Sequence, residues 1–448
     1  MNTSLDSSLR AVLRLAWPTV LSFVLNSAYR VNDQYWVQGL GGDAHAAIAS
    51  STVLLILNFA VIFVVIGGSS PLVARAEGAR DPAERDDVVR HALALGVVVA
   101  ALLGSVGWWA TPHAARAFDV VPSVEPLMVG YLRTMYLGML PLVLAPVIDN
   151  VFFAVGNTRV PMMLQGIAVT LNLLLNPLLI YGAGSWPGLG IEGAAVATCL
   201  SRGVTSVLGL LLLVRAHGIR LRGGPLHLAR AASMVRLGLP VSLSIAVYAG
   251  VYVALFGLVI GPLGRDVSAG FGIGFNVFES VSYPFFLGIA IAGSSLVGRN
   301  LGAGHPAEAW RAVRSARTLG RLVGLAFGAL FWFCGPLVTH WFTDEAGVLT
   351  EALLYVSVLA WSQPLVAEEA VNEKVLFGAG QPRPIFWIST VGNLARVPLA
   401  WWFAFGLGGG AAGLWWAINV TTLLKAAAFL VEVQRGRWVT ALERSKAA

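Results

Sequence analysis

Asp33 is a lone carboxylate at the end of Ser22-x3-Asn26-x3-Arg30-x2-Asp33, inside an apolar run that begins near Ala11. Steps of four, four and three put these side chains on one helical stripe. A charge at membrane depth costs roughly 2.5–3.5 kcal/mol on insertion scales, and such residues mark ion or substrate paths. A carboxylate there can take up and release a small cation or a proton. Arg30 offers a competing chemistry. If it pairs with Asp33, the acid is structural or the coupling ion sits elsewhere; if it points away, Asp33 is available for exchange.

Further charges recur in apolar surroundings. Glu368, Glu369, Asn372, Glu373 and Lys374 share one span, Asp149-Asn150 another, and Glu279 follows Asn276 by three residues. Lipid would make these prohibitive, so they are expected to face a central cavity. Two readings are open. Asp149, Glu279, Glu368, Glu369 and Glu373 could line a cavity whose negative field draws cationic, amphipathic substrates. Tyr29, Tyr35 and Phe275 would then add cation–π contacts of about 0.5–2 kcal/mol. Alternatively, Lys374, Arg396 and Lys425 neutralise the acids and hold helices together. No nucleophile–base pair, metal-ligand spacing or Gly-x4-Gly-Lys-Ser/Thr loop is present, so no catalytic residues, no cofactor and no ATP site are expected.

The elements that carry these residues are membrane helices. Of 448 residues, 57% are hydrophobic and 12% charged, against about 25% charged in ordinary soluble domains; the mean hydropathy is +0.74. Apolar runs of spanning length occur near 11–37, 46–74, 91–111, 126–152, 160–182, 190–214, 236–260, 266–298, 316–340, 350–377, 384–406 and 410–433. The net charge of +7 is not a nucleic-acid footprint, because the basic residues fall in alternate loops. Arg10 and Arg14; Arg75, Arg80 and Arg85; Arg215, Arg220, Arg222, Arg230 and Arg236; Arg311, Arg314 and Arg317; and Arg435, Arg437, Arg444 and Lys446 mark one side. Positive-inside asymmetry places both termini in the cytoplasm of a cell (inner) membrane protein. Cys199 and Cys334 lie in spans and read as buried thiols.

The chain also repeats. Gly68-Ser69-Ser70 through Gly78 and Pro82 answers Gly293-Ser294-Ser295 through Gly302 and Pro306, with Arg75 to Arg299 offset by 224 residues. Gly156-Asn157-Thr158-Arg159 answers Gly380-Gln381-Pro382-Arg383 at 224; Asn172…Pro177 answers Asn393…Pro398 at 221; Glu192–Ala195 answers Gly409–Ala412 at 217. The expected fold is an all-α polytopic membrane protein with about twelve spans in two pseudo-symmetric six-helix lobes. Residues 1–215 and 236–448 form the lobes, and the basic stretch 216–235 links them. Such parallel repeats bind substrate between halves that rock in turn.

The Leu15-Ala16-Trp17-Pro18 entry, Asp33 with Gly39-Leu40-Gly41, the two Gly-Ser-Ser closes and Gly156-Asn157-Thr158-Arg159 resemble multidrug and toxic compound extrusion (MATE) transporters. So do Ala269–Glu279 and Leu296–Gly304, and the likeness covers nearly the whole chain. It implies a monomeric antiporter that exports amphipathic, cationic compounds against H+ or Na+. It also implies an ion site at Asp33, Asn172, Asn176 and Thr198, with no metal beyond a possible Na+. The i,i+4 spacing of Asn172 and Asn176 agrees with one shared face. Gln38, Asn176, Ala249 and above all Arg30 depart from the family pattern. A lipid-linked oligosaccharide flippase of the same superfamily is the alternative.

Overall fold

The structure is a computed structural model describing residues 2–117, 121–221 and 223–440, without the side chains of residues 2–7 and 53. Arg222, Arg444 and Lys446 lie outside the described residues. Helical segments occupy all twelve expected positions: α1 (Asn2–Gln38), α2 (Gly42–Gly78), α3 (Pro82–Ala117), α4 (Glu125–Leu137 with Met139–Ala154), α5 (Arg159–Tyr181), α6 (Ile191–Arg215), α7 (Leu228–Leu263), α8 (Arg265–Gly302), α9 (Pro306–His340), α10 (Ala346–Ala360 with Gln363–Gly378), α11 (Pro382–Trp401) and α12 (Gly410–Gln434). Among the described residues, nine are long and apolar enough to cross a membrane, and the bent pairs α4 and α10 make two further spans. α11 falls short of that apolarity; it carries Asn393 and Arg396 in its middle.

Two compact units make up the chain: Leu21–Ser242, and Met1–Val20 with Leu243–Ala448. The divisions fall inside α1 and α7, not at 215 and 236. α7 begins at Leu228, so the second half of the stretch read as a linker is helical. One ion pair in the helical part and one backbone hydrogen bond before it tie the stretch down. Arg230 meets both carboxylate oxygens of Glu84 at 2.6 Å, and Asp86 accepts the Arg220 N–H at 3.0 Å.

Within Leu21–Ser242, α2 and α7 cross with their backbones in contact. A Cβ added at Gly68 would overlap the Met234 carbonyl, and one at Gly238 would overlap that of Val64. Small residues permit such close helix packing. α4 bends by 57° at Gly138, and α10 bends by 55° before Gln363. Pro141 and Pro364 open the second half of each, where a missing N–H interrupts the helix ladder. The Cys199 side chain packs against Gly138; both thiols are free and half-buried rather than fully buried.

The unit containing Leu243–Ala448 differs in one respect. Among the described residues, the π-helical turns Phe256–Ile260, Gly274–Glu279 and Trp402–Gly406 all belong to it. Such turns often accompany functional sites. They adjoin a core of Leu255, Phe271, Phe278, Tyr355 and Trp415.

Candidate ion and substrate sites

Three helices bring four expected side chains together in the Leu21–Ser242 unit. Asn176 of α5 donates from Nδ2 to Asp33 Oδ1 at 2.8 Å, and Thr198 of α6 donates to Asp33 Oδ2 at 3.3 Å. Asn172, one turn before Asn176, accepts from Asn176 at 3.3 Å and from Asn32 at 2.7 Å. Asn172 and Asn176 are fully buried. Asn176 Oδ1 has no donor. An orphan acceptor beside a carboxylate and a hydroxyl is a hard-oxygen set suited to a small monovalent cation, or to a proton in a hydrogen-bond network.

Arg30 is exposed and is not among the groups bonded to Asp33. Three residues turn a helix by about 300°, so Arg30 lies about 60° from Asp33. The buried face is instead set by Tyr29, 3% exposed, whose hydroxyl donates to the Thr198 carbonyl at 3.4 Å. Tyr35, 66% exposed, lies off that face.

Sequence reasoning passed over the cation that does stand near this site. Arg202 of α6 lies with its guanidinium carbon 4.8 Å from the centre of the Tyr29 ring. It donates to Gln165 Oε1 at 2.9 Å, and Gln165 Nε2 donates to Asp149 Oδ2 at 2.9 Å. Its charge acts on both Asp33 and Asp149. Position 202 is i+4 from Thr198 and 165 is i−7 from Asn172, so helical spacing alone carried the signal. These three groups, Asp149 buried and Asp33 and Arg202 half-buried, are each hydrogen-bonded to neutral partners, and with both acids ionised they sum to −1.

The other unit handles its acids differently. Buried Glu368 accepts from Arg317 Nε at 2.8 Å, from Arg321 Nε at 2.6 Å and from Asn372 at 2.9 Å. Glu369 pairs with Lys425 at 2.7 Å, and Glu373 with Lys374 at 2.8 Å. An uncompensated negative field from these three acids is therefore not what the structure contains. Lys374 and Lys425 act as the neutralising reading expected. The partners of Glu368 are new, and Arg317, counted as a loop residue, lies inside α9. Of the four expected acids in this unit, Glu279 has no base in contact among the described residues; its carboxylate accepts the Tyr355 hydroxyl at 3.0 Å. Phe275 stacks on Phe271, with ring centres 5.4 Å apart.

The MatE family model matches residues 18–178 and again 240–402. The chain belongs to the MatE family. The double match falls on the two repeated halves. MatE relatives along nearly the full length include a probable multidrug resistance protein NorM of Thermotoga maritima, 25% identical over 98% of this chain and 95% of that protein. An FAD transporter of Shewanella oneidensis is 26% identical over 95% of this chain and 94% of that protein. Among solved structures, an outward-facing multidrug resistance MATE family transporter superposes with a TM-score of 0.89 at 24% identity, covering 97% of this chain and 96% of that one. That likeness establishes the fold.

Proposed function

We propose that this MatE protein is a secondary active exporter of small amphipathic compounds. It exchanges them for H+ or Na+ by alternating access in the inner membrane, with both termini cytoplasmic. The observation that carries the proposal is the Asp33 carboxylate, bonded to the Asn176 amide and the Thr198 hydroxyl, with Asn176 Oδ1 open beside it. The coupling ion would sit on Asp33, Asn176 and Thr198, with Asn172 holding the orientation of Asn176. One monovalent cation would bring Asp33, Asp149 and Arg202 to neutrality. Its descent through 100 mV supplies about 2.3 kcal/mol, enough for roughly a fiftyfold solute gradient. The names of the NorM relatives support a multidrug cargo. The cationic preference expected from the acid cluster loses its footing, because three of those acids carry bases.

That base count also favours the alternative, a lipid-linked oligosaccharide flippase, whose cargo carries phosphates. One experiment separates the two. Expressed in an exporter-deficient host, the protein should raise drug resistance, and Asp33→Asn should abolish this while leaving membrane expression intact. Reconstituted vesicles should show cation flux that depends on drug. A wild type that confers no resistance and moves no cation overturns the exporter proposal. Full coupled transport by Asp33→Asn overturns the ion-site assignment.

A further inference from the structure

Arg396 is a buried guanidinium, 3% exposed, in the middle of α11. Its direct partners are three hydroxyls: Thr421 at 3.1 Å, Tyr252 at 3.4 Å and Thr422 at 3.4 Å. These are long for charge-assisted bonds, which run near 2.7–2.9 Å. The acids acting on it through space have other partners, since Glu279 accepts from Tyr355 and Glu369 is paired with Lys425. Leaving a buried charge without a counter-charge in contact is costly.

The guanidinium borders an aromatic cluster. Its carbon lies 5.9 Å from the Tyr252 ring centre. Tyr252 lies 5.7 Å from Phe275 and 6.4 Å from Phe271. Phe271 stacks on Trp415 at 5.9 Å with 11° between planes. Trp415 is fully buried, yet its Nε1–H has no acceptor. An indole N–H can only donate. Arg396 and Trp415 thus leave donor capacity unmet, whereas the Glu279 carboxylate already accepts. Tyr248, 39% exposed, lies at the edge of the cluster with its ring 4.9 Å from that of Tyr252. Two of the π-turns carry cluster neighbours: Phe275 and Glu279 in one, Phe256 in the other.

We infer that the Leu243–Ala448 unit holds an organic-anion site, with the carboxylate of a planar aromatic acid on Arg396 and its ring among Tyr252, Phe271 and Phe275. A carboxylate matches the planar guanidinium fork with two parallel hydrogen bonds. The rings supply stacking surface. The site rests on the exporter proposal for its place in export, but binding to it does not.

The test is equilibrium binding to the purified full-length protein with two probes of one shape and opposite charge, 2-naphthoate and 2-naphthyltrimethylammonium. Naphthoate should bind the wild type more tightly. Arg396→Gln should weaken it by about 10–100-fold, the range for bonds to a charged group. Arg396→Lys should fall between, and Trp415→Phe should cost a few-fold. Glu279→Gln gives the decisive sign. It removes a like charge and should tighten naphthoate several-fold, and it keeps the test open if Arg396→Gln does not fold. Equal binding by Arg396→Gln, weaker naphthoate binding by Glu279→Gln, or preference for the ammonium probe overturns the site. Arg396-dependent binding by a protein that exports nothing would sink the exporter proposal and leave the site standing.

Discussion

Glu368→Gln separates an acid that holds helices together from one that greets cargo. Glu368 is 6% exposed and receives four hydrogen bonds, one from Arg317, two from Arg321 and one from Asn372. Glutamine keeps the shape and one acceptor oxygen but turns an amide N–H2 toward a guanidinium. A bond to a charged group contributes about 1.5–3 kcal/mol. The Arg317 side chain is 14% exposed, so its loss counts nearly in full, at about 2 kcal/mol. That of Arg321 is 51% exposed and water screens it, so about 1 kcal/mol is appropriate. The sum, about 3 kcal/mol, matches the low end of the 3–5 kcal/mol that breaking a buried pair costs. Thermal unfolding of purified protein in detergent should shift down by several degrees. Replacing all three partners (Arg317→Met, Arg321→Met and Glu368→Leu) should recover most of the loss, because apolar groups carry no stranded charge. A Glu368→Gln protein with unchanged unfolding and lost transport would refute the structural role and return Glu368 to the cargo path.

Four smaller perturbations test other parts of the structure. Arg30→Ala should leave drug resistance and cation coupling unchanged, since Arg30 is exposed and does not bond Asp33; a loss of coupling in the vesicle assay would contradict this. Arg202→Gln removes the cation nearest Asp33 and Asp149, so coupling-cation affinity should rise several-fold in an ion titration, and a fall would reverse the electrostatic argument. Gly68→Val drives a side chain into the Met234 carbonyl; the overpacking should cost about 1–3 kcal/mol or more and lower the yield of folded protein. Arg230→Ala breaks a bidentate, half-exposed pair with Glu84 and a second pair with Asp87, and should cost about 1 kcal/mol by the same unfolding measurement.

Which of these features could be read from the sequence follows from how local their cause is. Helix positions were legible because spanning length and apolarity are properties of a single segment. Asn172 and Asn176 were legible as one face because i,i+4 geometry is local, and Asp33 because an acid among apolar residues is conspicuous. The stripe through Arg30 misled, because a three-residue step is 60° short of a full turn and the buried face ran through Tyr29 instead. Partner choice was illegible. Lys374 sits beside Glu373 in sequence, but Arg317 and Arg321 reach Glu368 across about fifty residues, and nothing in either helix alone fixes that. Arg202 lay in an apolar span like Asp33; its role appears only once α5 brings Gln165 against it, with Asp149 of α4 bonded behind Gln165.

The repeat spacing explains why the two halves treat charge differently. The family match begins at 18 and again at 240, an offset of 222, which carries Asp33 to Leu255. The offset of 221 across α5 and α11 carries Asn172 to Asn393 and Asn176 to Val397, and that of 217 across α6 and α12 carries Thr198 to Trp415. Carboxylate, amide and hydroxyl in one half thus become Leu, Val and Trp in the other. Leu255 and Trp415 are both fully buried in the same core. The Leu255, Val397 and Trp415 side chains offer none of the oxygens that Asp33, Asn176 and Thr198 present to a small cation. The residue set of the proposed coupling site is therefore not repeated at the equivalent positions of the second half. At the equivalent position of α12 the second half presents Trp415, stacked on Phe271, and Arg396 borders the same ring cluster through Tyr252. The two repeated halves share one scaffold, and substitution at three positions leaves the carboxylate, amide and hydroxyl set of the proposed coupling site in the first half alone.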